Sequence, residues 1–282
     1  MTARTAPHTR VSGPLARSGA SLAALITSAS LRGGAVTAEL LVDGSRPIRG
    51  ARVDSRLIAA DETFFALLGA RTDGRLHMME ALERGAAAIV AERPSLAAAP
   101  HPGASRAEAV EALDAAIEAA KVAAAKHGAT LILVDGGIRA LAAAASGWRA
   151  RFDLDVVGVT GSVGKTTTKE LIAAALGGAA TKTSATPGNA NNEIGLPLAL
   201  LNLPDGAERL VAEMGMYVGG EIADLCAMAL PRVGVVTAID AVHASRAGDL
   251  DAIAAAKGEL VAALPADGLA VLNRSEEHTS EL

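Results

Sequence analysis

The sequence predicts an α/β protein in two parts, a small α/β unit followed by a mostly parallel, doubly wound sheet with helices on both faces. Three observations predict it. From Thr130 onward, short apolar runs alternate with helical stretches, as in sheets built from strand–helix–strand units. One of these runs, Val156–Val159, feeds a glycine-rich turn that opens into a helix. Half of the 282 residues are apolar, yet only five (three Phe, one Tyr, one Trp) are aromatic, so packing through small side chains is expected.

Residues 1–33 are expected to be a flexible tail. Met1–Ala38 contains no acidic residue but carries Arg4, Arg10, Arg17 and Arg32, a composition that also fits a transit peptide or an upstream start codon chosen in error. Its apolar run Leu22–Ile26 is too short for a secretory signal. Residues 34–93 read as the small α/β unit, with strands at Leu40–Val42, Thr63–Leu68 and Ala88–Ala91. A helix Met78–Arg84 ends at Gly85. Pro94, Pro100, Pro102 and Gly103 then mark residues 94–130 as a linker or insertion, with an Ala/Glu/Lys helix Arg106–Lys126 closed by Gly128.

The second domain is expected over 131–273. Its strands are Leu131–Val134, Val156–Val159, Leu210–Glu213, Val233–Ile239 and Leu269–Leu272. Its helices are Ile138–Arg149, Lys165–Leu176, Gly220–Ala229 and Asp249–Ala263. The last nine residues, Arg274–Leu282 (RSEEHTSEL), break this pattern and resemble the translation of a sequencing-library adapter. The second domain is therefore expected to be incomplete, and Glu276, Glu277 and His278 are not read as a metal cluster.

A net charge of −5 gives no electrostatic reason for a nucleic-acid or anionic-membrane partner. The single Cys226 leaves no intramolecular disulfide and fits a reducing, cytoplasmic setting. No run of 18 apolar residues suggests a membrane span.

The strongest local signal is Gly158–Thr168 (GVTGSVGKTTT), between a strand and a helix. Glycines let backbone N–H groups turn inward around phosphate oxygens, and a helix N-terminus adds a favourable dipole. Gly161, Ser162, Val163, Gly164, Lys165, Thr166 and Thr167 are the candidate nucleotide-binding residues. Lys165 would reach the β- and γ-phosphates, and the Thr166 hydroxyl would ligate Mg²⁺. The spacing departs from the standard phosphate loop: Val159 stands where the first glycine belongs, and Gly158 comes one residue early.

That variant spacing, in Thr160–Glu170 (TGSVGKTTTKE), resembles the Mur ligase family and its folylpolyglutamate-forming relatives. Gly188–Leu198 (GNANNEIGLPL) and Glu213-Met-Gly215 with Gly220–Ala223 are similar to blocks of the family branch that adds D-alanyl-D-alanine. Val235–Thr237, His243 and Ala256–Leu260 follow in family order. Asp54-Ser-Arg56, Phe64–Leu67 and Gly69–Gly74 resemble the domain that holds the UDP end of the substrate.

The resemblance implies an ATP-dependent ligase joining D-alanyl-D-alanine to a UDP-muramoyl tripeptide through an acyl phosphate, working as a monomer. Lys165, Lys257 and His243 would be its catalytic residues. Thr166, Glu213, His243 and Lys257 would hold two Mg²⁺ ions, with Lys257 carbamylated. Ser55 and Arg56 would contact the uridine end, and Asn191 and Asn192 the phosphates or the peptide. Each has a plainer reading: a solvated lysine, a buried structural glutamate, a surface histidine, Asx-turn asparagines, or a surface loop pairing at Ser55 and Arg56. Departures from the pattern are His243-Ala-Ser245 for His-Leu-Glu, Arg75 for His and Asp240 for Gly. The end of the ATP-binding domain and a third domain are expected to be missing, which leaves open a fragment that binds nucleotide without turnover. A sister ligase that adds the third amino acid is the other reading.

Overall fold

The computed structural model describes residues 11–29, 34–69, 72–94, 105–240 and 249–273. The chain divides into two compact units. One is formed by residues 13–147, the other by residues 148–282 with 1–12.

The first unit is built on β1 (Ala38–Val42), β2 (Gly50–Arg52), β3 (Glu62–Ala66), β4 (Ala88–Glu92) and β5 (Thr130–Val134), in the order β1-β5-β4-β3-β2. All neighbours are parallel except β1, which runs antiparallel to β5. Its helices are α1 (Gly19–Ser28), α2 (Met78–Glu83), α3 (Arg106–His127) and most of α4 (Gly137–Arg149). Phe64, Ile89, Leu131 and Leu133 share a core with Met78 and Leu82 of α2 and with Ile117, Ala120 and Ala124 of α3. Burying each large aliphatic side chain there contributes about 1.5–3 kcal/mol. Strand side chains alternate between faces, so Thr130 faces away from this core, toward α1. A Cβ on Gly19 of α1 would sit 2.7 Å from the Thr130 side chain, which is why glycine begins that helix.

Three sequence expectations are corrected here. The expected tail contains α1, with a Ser18–Ser21 capping box and buried Leu22, Leu25 and Ile26. The expected linker or insertion contains α3, which starts from a Ser105–Glu108 capping box, stops at left-handed Gly128 and covers the first core. The expected start of the second domain at residue 131 falls inside the first unit, because β5 pairs with both β1 and β4. All five residues of β5 are buried, so it has no polar face to reveal its sheet, and only strand register decides. The tail Arg274–Leu282 and residues 1–10 lie outside the described residues.

The second unit carries β6 (Asp155–Thr160), β7 (Thr183–Ala185), β8 (Arg209–Glu213), β9 (Val233–Val236) and β10 (Leu269–Leu272), all parallel, in the order β10-β9-β6-β8-β7. Val157, Val159, Val211 and Val235 pack with Ala173 and Ile172 of α5 (Lys165–Ala175) on one face. On the other face Val236 and Leu272 meet Ile253 of α8 (Leu250–Ala262), which packs beside α7 (Glu221–Ala229). A short helix α6 (Gly195–Leu201) and the three-residue strands β2 and β7 were not foreseen. Among the described residues, no helix is long and apolar enough to cross a membrane.

Candidate active site

β6 is the central strand, with β8 on one side and β9 on the other. The chain leaves this sheet centre in opposite directions, and such a switch point opens a crevice at the carboxyl ends of the strands. The turn Gly161–Gly164 emerges there and runs into α5.

Gly161 (φ 146°) and Gly164 (φ 85°) take backbone conformations that side-chain-bearing residues rarely adopt. A Cβ on Gly161 would lie 2.0 Å from Thr237 Oγ1. Gly158 has a different task. It lies within β6, and a Cβ there would meet Leu260 Cδ1 of α8 at 2.8 Å. The early glycine of the motif therefore admits a helix onto the sheet, and Val159 fills the hydrophobic core facing α5.

The end of β9 braces the turn. The expected strand through Ile239 stops at Val236, and the following residues bond to the loop instead. Thr237 Oγ1 donates to Val163 O (2.6 Å), and Ser162 N donates to Ala238 O (2.7 Å). Ser162 Oγ accepts from Asp240 N (2.9 Å), so Asp240, which replaces the usual glycine, serves through its backbone.

Lys165 curls back, its Nζ donating to the loop carbonyls of Gly161 (2.8 Å) and Ser162 (3.2 Å). Burial lowers its pKa, and the Glu213 carboxylate partly opposes that shift. Thr166 and Thr167 are exposed on the first turn of α5. Thr166 Oγ1 donates to Glu213 Oε2 (2.8 Å), and Asn191 Nδ2 donates to Glu213 Oε1 (2.8 Å). Glu213 is buried at the carboxyl end of β8, with both oxygens held. The structure thus brings the phosphate loop, the GNANNEIG block and the EMG block to one carboxylate.

Lys257 is buried on α8. Burial first, and then the nearby charge of Lys165, push its pKa down to about 8. His243 lies outside the described residues. Among the described residues, no three His, Cys, Asp or Glu side chains converge as a metal cluster.

Three expected substrate contacts carry local bonds in this structure. Asn192 Oδ1 accepts from Ile194 N (3.3 Å) and Gly195 N (2.9 Å), an Asx turn at the start of α6. In the first unit, Ser55 Oγ donates to Glu80 Oε2 (2.7 Å), and exposed Arg56 pairs with Asp54 (2.6 Å). That Arg56 pairing holds the Asp54 carboxyl down at about 2.

Sequence reasoning gave no role to Lys169, Thr186 or Thr237. Lys169 had a readable signal: it lies four residues after Lys165 on one helix face. Thr237 stood in the Val235–Thr237 block with no role given to it, and Thr186 had no signal, since an isolated threonine after a strand is common.

A glycine-rich loop between a central parallel strand and a helix, with a lysine, a hydroxyl and a buried carboxylate around it, defines a nucleotide-binding domain of the phosphate-loop class. Sequence comparison narrows the class. The model described as Mur ligase family, catalytic domain, matches residues 47–149, and the Mur ligase middle domain matches residues 159–282. The chain belongs to the Mur ligase family.

A relative from Synechocystis sp., named UDP-N-acetylmuramoyl-tripeptide–D-alanyl-D-alanine ligase, is 39% identical over 223 residues. The match covers 78% of this chain and 42% of that protein. The Bacillus subtilis protein of the same name is 35% identical over 224 residues, covering 79% and 43%. The chain thus spans about two-fifths of the length of these curated relatives. Among solved structures, the MurF ligase from Thermotoga maritima in complex with ADP is 33% identical with a TM-score of 0.61, covering 79% of this chain and 45% of that one. MurF from Acinetobacter baumannii, 24% identical with a TM-score of 0.65 over 85% of this chain and 46% of its own, shares the fold.

Proposed function

We propose that this chain is the front portion of an ATP-dependent ligase that joins D-alanyl-D-alanine to a UDP-muramoyl tripeptide. The observation that carries this reading is the carboxylate of Glu213, held between Thr166 of the phosphate loop and Asn191 of the GNANNEIG block. Relatives 39% and 35% identical to this chain carry the corresponding name.

In the first step, an oxygen of the tripeptide's terminal carboxylate attacks the γ-phosphorus of ATP, and the bond to the ADP oxygen breaks. In the second, the amine of D-alanyl-D-alanine attacks the acyl phosphate carbonyl, inorganic phosphate leaves and the nitrogen loses a proton. Phosphoryl transfer asks a protein mainly for positioning and charge neutralisation. The N–H groups that open α5 lack intrahelical partners and would face the phosphates. Lys165 would exchange its two loop carbonyls for phosphate oxygens.

The donor set fits Mg²⁺: a hydroxyl and a carboxylate oxygen 2.8 Å apart are the hard ligands it takes. Thr166 and Glu213 would hold one ion, and His243 with Lys257 a second. Bound there, the metal supplies charge that lets two anions approach each other. Lys257 would ligate only as a carbamate, formed when its neutral amine attacks carbon dioxide and releases a proton. Its lowered pKa makes that amine available near neutral pH. Asn191, Asn192, Ser55 and Arg56 would contact the substrate by exchanging their present bonds.

For the 282-residue chain taken alone, we propose nucleotide binding without turnover, since it spans about two-fifths of its relatives' length. Two measurements test these readings. Lys165→Ala should weaken binding of a fluorescent ATP analogue about 10- to 100-fold, the worth of a lost charge-assisted contact. Unchanged affinity would remove Lys165 from the site. ATP-dependent phosphate release by this chain that requires both UDP-tripeptide and D-alanyl-D-alanine would replace the binding-only reading with full ligation.

A further inference from the structure

Lys169 is a fully buried lysine that the proposed chemistry does not use. A buried ammonium is costly unless its three donors are satisfied and its charge is balanced. Here Nζ donates to Thr186 O and Gly188 O, both at 2.7 Å, and lies 3.1 Å from Glu170 Oε1 and 3.8 Å from Glu213 Oε2.

Its partners belong to one connected unit. Thr186 and Gly188 bracket the turn that leads from β7 into the GNANNEIG block. Thr186 Oγ1 accepts from Glu213 N (3.0 Å), so the turn gripped by Lys169 also fixes the backbone of Glu213. Asn191, three residues beyond Gly188, donates to Glu213 Oε1 and accepts through its carbonyl from Gly215 N (2.7 Å). Lys165 and Lys169 share one face of α5. The first bonds the loop's own carbonyls, while the second reaches back beneath the loop to the support of the carboxylate.

We propose that Lys169 is a positioning residue for the divalent cation: it fixes the Thr186–Gly188 turn and the Glu213 carboxylate in the geometry in which Glu213 and Thr166 share one ion. The inference rests on the nucleotide and metal site proposed above. Groups that orient a ligating carboxylate typically change metal affinity about 10- to 100-fold when removed.

The test is binding of a fluorescent ADP analogue, mant-ADP, to the whole chain, first in EDTA and then across a MgCl₂ titration. Lys169→Met should keep the far-UV circular dichroism and the EDTA affinity of the wild type. Its half-maximal MgCl₂ concentration should rise about 10- to 100-fold. Glu170→Gln, which removes the exposed partner of the same ammonium, should leave both quantities unchanged. An unshifted MgCl₂ midpoint for Lys169→Met overturns the proposal. So does a parallel loss of EDTA affinity, because Lys169 would then support the phosphate loop as a whole. If Lys169→Met and Lys169→Gln both fail to fold, the role is purely structural and the proposal also fails. A wild type that does not bind mant-ADP at all overturns the nucleotide-site reading itself. One that binds it without regard to Mg²⁺ overturns the cation site and this inference together.

Discussion

Two lysines on different helices, Lys165 and Lys257, share a positively charged corner, and their burial sets its electrostatics. Lys257 shows the cost most clearly, with a pKa pushed from 10.5 down to about 8. Between those two pH values the unfolded chain binds one more proton at this position than the folded chain, so stability rises with pH across the window. Below pH 8 both states are charged and the full burial penalty applies. Lys257→Met should therefore stabilise the protein at pH 7 by roughly 1–3 kcal/mol and flatten the rise between pH 8 and 10. Urea unfolding at several pH values measures both effects. A Lys257→Met variant no more stable than wild type at pH 7 would mean that the folded protein already compensates this charge.

Arg75 acts between elements, where it ties a turn to a strand end. It lies in the 3-10 turn Gly74–His77, buried to 2% exposure, and its guanidinium grips Asp73 at 2.6 Å. The same group reaches the carbonyls of Glu92 (3.5 Å) and Arg93 (3.4 Å) at the end of β4. Read from the sequence, Arg75 was only a departure, standing where the family usually has His. In the fold it neutralises a buried aspartate and joins the turn before α2 to the sheet. Arg75→Leu would strand the Asp73 carboxylate, and breaking a buried pair from one side costs about 3–5 kcal/mol. The urea midpoint should fall accordingly, and a loss under about 1 kcal/mol would show that water or other donors replace the arginine.

The whole molecule is two units, each with its own sheet and its own buried apolar residues. The first has helices on both faces of its sheet and a core drawn from β3, β4, β5, α2 and α3. Its strands all lie within residues 13–147, so no strand pairing in its sheet requires the rest of the chain. A protein of residues 13–149, ending with α4, should fold alone and unfold in urea with a single sigmoidal transition. A linear, non-cooperative loss of ellipticity would show that the division is only geometric.

Local chemistry determined what sequence could determine. Strand–turn–helix around Gly158–Thr168 was legible because a phosphate-binding loop needs glycines and a lysine at fixed offsets. Family membership was legible because three further blocks recur in order. The α5, α7 and α8 helices were legible from periodicity and end signals. Tertiary structure decided the rest. It assigned β5 and α3 to the first unit, since a fully buried strand and an Ala-rich helix carry no mark of the sheet they join. It turned the expected tail into α1, whose apolar stripe has meaning only against β1 and β5. It separated Gly158, which admits α8 onto the sheet, from Gly161, which shapes the loop. It also placed Lys169, Thr186 and Asn191 around Glu213. Their spacing along the chain reflects strand order and connection length, and only assembly of the sheet brings Thr186 and Asn191 within hydrogen-bonding distance of Glu213 and the Lys169 ammonium within 3.8 Å of it.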